Sequence, residues 1–368
     1  MRLFLIITAQ FLSGSIWFAA NVAYQGQNML LSAVQLGFIT GTLGFAFFNI
    51  SDRFSPAKVF FWCALAGAVF NFSGIFLEHN RLALLVSRTG CGICLAGIYP
   101  VGMKIAASWY PGTLSKALGW MVGALVLASG LPYLINMMAI HKNAGTILCT
   151  TSILCLAGGI IQAAAVGDGP FLPKGSAFDI MAVKKIFRHP GFRAASFGYF
   201  GHMWELYAVY AHVPVLIRII EKNHSDFVCF MFFAAGFAGC AAGGIIALKS
   251  GSRIIAMAAL CVSGIICLVS PFITDLPEIL SIGILMLWGI AVVADSPQFS
   301  ALNTKFAPQN YVGSALTIVN CIGFSITIFS IELVGYFIDS GGIRTAFLPL
   351  AIGPAAGLAA LQKYKTRI

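Results

Sequence analysis

The chain has 368 residues, 59% of them hydrophobic and only 9% charged, with a mean hydropathy of +0.90. Soluble proteins carry about 25% charged residues, so this composition excludes a water-soluble globular fold and makes lipid the solvent. The net charge of +10 is spread over the connections between apolar segments, which also argues against a nucleic-acid partner.

Apolar stretches of roughly 20 residues recur along the whole length, each enough to cross about 30 Å of hydrocarbon as a helix. In chain order, helices are predicted over 2–24, 32–50, 59–78, 82–107, 115–138, 145–167, 193–219, 226–248, 252–271, 278–304, 311–336 and 343–361. The first stretch sits where a signal peptide would. It lacks a small-residue cleavage site and holds Gln10, Trp17 and Asn21, so a retained helix is expected. The predicted fold class is therefore all-α and polytopic, with twelve transmembrane helices in two pseudo-symmetric six-helix bundles. The N-terminal bundle covers 1–167, a cytoplasmic linker 168–192, and the C-terminal bundle 193–368. With both termini on the inner side, sixteen of the 22 Lys and Arg residues fall at inner helix ends or loops. Five (Arg81, Lys142, Arg218, Lys222 and Arg344) fall outside, and Arg88 lies within a span. That is a positive-inside bias, and it predicts a cytoplasmic-membrane location with cytoplasmic termini. The linker itself carries Lys184, Lys185 and Arg188.

Two stretches occupy equivalent places in the two halves. The first, Arg88 to Pro111, reads RTGCGICLAGIYPVGMKIAASWYP, with Pro100 and Pro111 separated by ten residues. Pro297 and Pro308 repeat that spacing in PQFSALNTKFAP, and each copy is followed by a small-residue helix start. A membrane module repeated in parallel implies a pseudo-two-fold axis along the bilayer normal and a cavity between the halves.

At these residues the chain resembles the major facilitator superfamily over nearly its full length. The connection SDRFSPAK (Ser51 to Lys58) is similar to that family's Asp-Arg-x-Gly-x-x-Arg/Lys loop, keeping Asp52, Arg53 and Lys58. Phe48 and Ser55-Pro56 stand where glycines are usual. Arg88, Gly92, Pro100 and Pro111 resemble the family's fourth-helix motif, whose arginine is associated with proton transfer. Two stretches, GIYPVGMKIAASWYP and GYFGHMWELYAVYA, are similar to a bacterial branch grouped with nitrate- and cyanate-type porters. Nitrate itself is disfavoured, because its arginine and glycine-rich signatures are missing. Gly130-Leu131-Pro132 is only loosely like the antiporter signature, which tilts the expectation to proton symport. The resemblance implies alternating access, a gating role for Asp52, Arg53, Lys58, Pro100 and Pro297, and a cavity lined by the first, fourth, seventh and tenth helices.

Polar groups in spanning helices are costly and normally face a cavity or a partner. Helix 1 places Gln10, Ser13, Trp17, Asn21 and Tyr24 on one predicted continuous face; the competing reading is polar packing between helices. In helix 4, Arg88 shares a side with Cys91, Gly92, Leu95 and Tyr99, while Lys104 lies opposite and is expected to snorkel. Arg88 would either meet an anionic solute, tune a nearby acid, or bond structurally to backbone carbonyls. In helix 7, His202, Glu205 and His212 lie within about 80° of one another, with Tyr199 and Tyr210 beside them. Carboxyl groups in apolar surroundings and imidazoles both exchange protons near neutral pH. Glu205 is thus the first candidate proton carrier, with His202, His212, Asp295 and Arg88 as further coupling candidates; the competing reading of Glu205 is a group that only locks helices. Helix 10 sets Trp288, Asp295 and Gln298 on one face, Asp295 preceding the helix-breaking Ser296-Pro297 and open to a capping role. Asn136 and Asn320 are second-rank cavity candidates.

The ten cysteines all fall in apolar segments, so no disulfide framework is expected, and Cys91-x-x-Cys94 reads as packing. No HExxH, GxSxG or phosphate-cradling GxxxxGKS occurs. No enzyme activity, cofactor or metal site is expected. The expected partners are a small polar, anionic solute, protons and the lipid bilayer, and a monomer is expected. Efflux of amphipathic compounds and a non-transporting receptor or scaffold stand as alternatives.

Overall fold

The computed structural model describes residues 1–25, 27, 29–110, 114–139, 143–172, 183–308 and 311–363. Pro111, Lys142, Lys174, Lys365, Arg367 and linker residues 173–182 lie outside them, as do the side chains of Lys116 and Lys184. The chain divides into two compact units, Met1–Phe178 and Asp179–Ile368.

The first unit contains α1 (Arg2–Gly14), α2 (Ala19–Ala23), α3 (Met29–Phe47), α4 (Ile50–Arg53), α5 (Pro56–Ser73), α6 (Arg81–Trp109), α7 (Leu114–Met138) and α8 (Ala144–Ile160). The second contains α9 (Val183–Ile186), α10 (Pro190–Ile220), α11 (Ser225–Ser250), α12 (Ser252–Val269), α13 (Glu278–Ala294), α14 (Ser296–Phe306), α15 (Val312–Gly341), α16 (Ile343–Ala346) and α17 (Ile352–Lys363). The fold is all-α among the described residues, and eleven helical stretches are long and apolar enough to cross a membrane.

The first predicted span, 2–24, is not one continuous helix but is broken into two pieces. α1 stops at Gly14 and α2 begins at Ala19. Ser15 causes the stop by bonding locally: its amide and its hydroxyl both donate to the Leu12 carbonyl, at 3.3 and 2.7 Å. Trp17 N–H then turns back to the Gly14 carbonyl at 3.0 Å. A serine competing for backbone groups beside a glycine is a common cause of a kink. The turns leave the Ile16 carbonyl free to accept from a neighbouring helix. The expected continuous polar stripe from Gln10 to Tyr24 is broken at the same place.

Each unit holds the same helix crossing. In the first, a Cβ on Gly92 of α6 would collide with the Val34 carbonyl of α3, and one on Gly41 would lie 2.9 Å from the Ile93 carbonyl oxygen. In the second, a Cβ on Gly289 of α13 would lie 2.5 Å from the Phe232 carbonyl oxygen of α11, and one on Gly239 would lie 2.6 Å from that of Ile290. Gly92 and Gly289, like Ile93 and Ile290, stand at the offset that relates Pro100 to Pro297. Small residues let membrane helices approach until their backbones touch, so the repeat written in the prolines recurs in packing.

The 51–58 loop is organised by caps. Asn49 takes a left-handed conformation (φ 51°) and turns the chain after α3. Ser55 accepts from Lys58 N–H at 3.4 Å with Pro56 in the first turn of α5, and Asp168 Oδ1 accepts from Ala57 N–H at 2.8 Å. Asp168 is the first residue of the predicted linker, which is strapped here onto its own unit: Gly169 N–H donates to Ser108 Oγ at 3.1 Å and Phe171 N–H to the Ser108 carbonyl at 3.1 Å. An Asp168→Ala variant is expected to lose about 1 kcal/mol, the usual worth of an N-terminal cap, read as a small drop in melting temperature with assembly intact.

Candidate functional site

In the first unit a buried polar network centres on Arg88, which is 1% exposed. One guanidinium nitrogen donates to Asn71 Oδ1 at 2.8 Å and lies 3.4 Å from Cys91 Sγ; the other donates to the Ile16 carbonyl at 2.7 Å. That carbonyl is the one freed by the break between α1 and α2. Asn71 in turn donates to the Leu148 carbonyl, Thr151 Oγ1 and Ser152 Oγ of α8 at 2.9–3.0 Å. Ser13 reaches the Cys155 carbonyl at 3.1 Å. Among the described residues no carboxylate lies within 4.0 Å of Arg88, so the buried cation has only neutral hydrogen-bond partners.

The other sequence candidates of this unit spread around that network. Trp17 packs 5.1 Å from Phe38 and 6.5 Å from the half-buried Tyr99. Tyr24 donates to the Gly74 carbonyl at 2.8 Å. Gln10 is fully buried beside Gly102, and neither its Nε2 nor its Oε1 has a partner among the described residues. Asn21 is half-buried and Asn136 of α7 is buried. Lys104 Nζ donates to the Ser51 carbonyl at 2.6 Å and pairs with the Asp52 carboxylate of the 51–58 loop. Arg53 and Lys58 are exposed. Pro100 lies inside α6 without ending it.

In the second unit the expected helix 7 face divides. His202 Nδ1 lies 2.8 Å from Asp295 Oδ1, the two side chains being 1% and 2% exposed. Asp295 sits at the joint between α13 and α14, with Pro297 in the first turn of α14, and makes no side-chain cap there. Its carboxylate turns to His202 instead. Glu205, 1% exposed, accepts from Trp288 Nε1 at 3.0 Å on Oε1 and from Ser263 Oγ at 2.9 Å on Oε2, and Cys267 Sγ donates to Oε1 at 3.4 Å. His212 Nε2 bonds with the Ile331 carbonyl of α15 at 2.9 Å. A helical fan of about 80° is wide enough for three side chains to reach three different neighbours, and here it does so. Trp204 points elsewhere again, donating to the Pro349 carbonyl at 3.1 Å.

Tyr199 and Phe299 flank the His202 ring, each with its centroid 6.0 Å away, and Tyr210 packs 4.8 Å from Phe233. Gln298 is buried and Asn320 half-buried. Asn71, Ser263 and Cys267 were not among the sequence candidates. Their available signal was position alone: an amide within an apolar run, and a hydroxyl and thiol four residues apart on one helix face.

The two networks share a register. Cys91 and Trp288 correspond at the offset that relates Pro100 to Pro297, and each faces the charged group of its own unit. One repeat buries a cation at this level and the other a carboxyl group. Among the described residues no group of three or more His, Cys, Asp or Glu side chains is placed to hold a metal ion.

Comparison with known proteins agrees with this architecture. The family profile of the Major Facilitator Superfamily matches residues 3–331. A Haemophilus influenzae protein described as a "Putative metabolite transport protein" is 34% identical over 99 residues, which is 25% of this chain and 24% of that protein. The matched stretch thus spans about a quarter of that relative. The crystal structure of the Major Facilitator Superfamily transporter FucP, in its outward conformation, aligns with a TM-score of 0.72 at 14% identity, covering 100% of this chain and 99% of that one. At that identity the likeness shows the fold. The chain belongs to the Major Facilitator Superfamily, and it is a multi-pass secondary transporter rather than an enzyme.

Proposed function

We propose that this transporter takes up a small polar anion across the cytoplasmic membrane together with protons. Both termini and the linker lie on the cytoplasmic side, and one copy of the chain suffices. Transport proceeds by alternating access. The observation that carries the anion is Arg88, a buried cation bonded to an amide oxygen, a backbone carbonyl and a thiol. A charge in low dielectric without a counter-ion favours arrival of one. Protons are supported by Glu205, His202 and Asp295, buried groups whose loading and release would follow the gradient. Gln10, Trp17, Asn21, Tyr99, Tyr199, Tyr210, Trp288 and Gln298 are candidate solute contacts, with Asn136 and Asn320 behind them. The nearer likeness to nitrate- and cyanate-type porters rests on two sequence stretches and carries no argument about the solute.

A non-transporting scaffold would be favoured by a loop at 51–58 that had lost its interactions, since Phe48 and Ser55-Pro56 replace the usual glycines. With Asp52 engaging Lys104 and Asp168 capping α5, that loop retains an ordered network, and the alternative loses that support. Proteoliposomes holding the purified chain and an internal pH-sensitive dye test the proposal. Formate, acetate, succinate, nitrate and phosphate are added outside in turn. At least one is expected to acidify the interior faster than it does in protein-free liposomes, and Arg88→Met is expected to abolish that excess. No acidification with any of the five sinks the uptake reading.

A further inference from the structure

The lipid-facing surface of the second unit holds a cleft of about 410 Å³, within the range of small-molecule sites, roughly 300–1,000 Å³. α10 forms its floor with Phe197 and Trp204, α15 one wall with Phe329, and α17 the other with Ile352, Ala356 and Ala360. Its origin is a glycine contact. A Cβ on Gly201 of α10 would collide with the Gly353 carbonyl of α17, and one on Gly357 would lie 3.2 Å from the Gly198 carbonyl oxygen. These pairs lay α17 antiparallel on α10 with their backbones touching. Beside them, Ala356 and Ala360 are too small to fill the angle between α17 and α15. Trp204 Nε1 already donates to the Pro349 carbonyl at 3.1 Å, so the floor offers hydrocarbon. Phe197, Phe329 and Ile352 at the rim are exposed. None of the proposed solute contacts lines the cleft.

Both flanking helices carry a cation one turn beyond the cleft, at the same end. On α10, Arg193, Phe197 and Trp204 follow at intervals of four and seven residues; on α17, Ile352, Ala356, Ala360 and Lys363 follow at four, four and three. Each set is one helical face. With Gly198 paired to Gly357 in antiparallel helices, Arg193 and Lys363 come to one level. Arg193 is half-buried and donates to the Phe187 carbonyl at 3.4 Å, while Lys363 is exposed. Lys185 and Arg188, just ahead of α10, are exposed beyond the same end. No Asp or Glu occurs in 183–204, 311–331 or 343–363, so this end of the cleft is positive without compensation from its own elements.

We infer that the cleft is a site for one anionic phospholipid, with an acyl chain lying along α10 between α15 and α17 and the phosphate meeting Arg193 and Lys363. Hydrocarbon fills the cleft whatever the lipid, because acyl chains are the solvent there. The cations decide which headgroup stays. Basic pockets between spanning helices favour anionic headgroups, and an arginine adds a planar fork suited to phosphate oxygens. A zwitterionic headgroup brings its own ammonium, which two cations without a neighbouring carboxylate repel. This site goes beyond the transport reading and does not depend on it.

The test reconstitutes the full chain in equal amounts of phosphatidylglycerol and phosphatidylcholine, extracts it in mild detergent and weighs it by native mass spectrometry. Wild type is expected to retain one phosphatidylglycerol, with a preference of about fivefold or more over phosphatidylcholine. Ala356→Trp fills the cleft and should lower that retention by about the same factor. Ala355→Trp, exposed on the same helix but outside the cleft, should leave it unchanged. The double variant Arg193→Gln/Lys363→Gln should retain the two lipids equally. Trp204 supplies a readout that needs no filled cleft. Phosphatidylglycerol with brominated chains should quench wild-type tryptophan fluorescence more than brominated phosphatidylcholine does, and Trp204→Phe should remove the excess. Equal retention of both lipids by wild type, undiminished retention by Ala356→Trp, or no excess quenching overturns the inference. A wild-type dimer that Ala356→Trp converts to a monomer also overturns it, because a second copy of the chain then occupies the cleft.

Discussion

Gly92→Val and Gly289→Val are each expected to abolish recovery of monodisperse protein from detergent extracts. In both cases the new side chain meets a backbone carbonyl, that of Val34 in one unit and that of Phe232 in the other. A flexible side chain could yield, but a carbonyl inside a helix cannot. α3 must then move off α6, or α11 off α13. Overpacking of a well-filled core costs roughly 1–3 kcal/mol even where side chains can adjust, and separating two helices also forfeits the contacts flanking the crossing. Gly283→Ala and Gly313→Ala are the controls, since nothing lies within 4 Å of a Cβ at either site. Size-exclusion profiles of the four variants decide the matter. If Gly92→Val is lost while Gly289→Val survives, the two crossings are not equivalent and the packing repeat is wrong.

The proline spacing of that repeat was legible because it is read directly from single residues, whereas the matching glycine crossings needed the partner helices to be in place. The break between α1 and α2 was not legible. Residues 2–24 read as one mainly apolar run with a single polar face, and Gly14-Ser15 is an ordinary pair in a membrane helix. The break needs Ser15 to bond the Leu12 carbonyl and also the Thr151 carbonyl at 3.3 Å, and the second partner lies far along the chain. Direction around a helix was readable and the identity of the neighbour was not. His202, Glu205 and His212 share one fan, but Asp295, Trp288 and Ile331 receive them separately. Asn71, Ser263 and Cys267 escaped for the related reason that a small polar side chain in an apolar run looks like packing until its charged partner is located.

Arg88→Met is expected to be the most damaging substitution of a polar side chain in the first unit. Methionine fills much of the same volume, so the change isolates the lost hydrogen bonds from the lost bulk. Two buried acceptors are then orphaned, the Ile16 carbonyl and Asn71 Oδ1. Each unsatisfied buried group costs about 1–3 kcal/mol, roughly 2–6 together. The loss also releases α1 and α2 from α6, because the Ile16 carbonyl is where the broken segment is tied to that helix. Arg88→Lys should fall between wild type and Arg88→Met, since an ammonium can reach one acceptor but does not reproduce the planar fork that spans both. Melting temperatures in detergent should therefore rank wild type, Lys and Met in descending order. Asn71→Ala in the Arg88→Met background should add little further, because the two residues act as one network and their effects are not additive. Equal stability of the Lys and Met variants would mean that the guanidinium fork does not hold the break in the first helix.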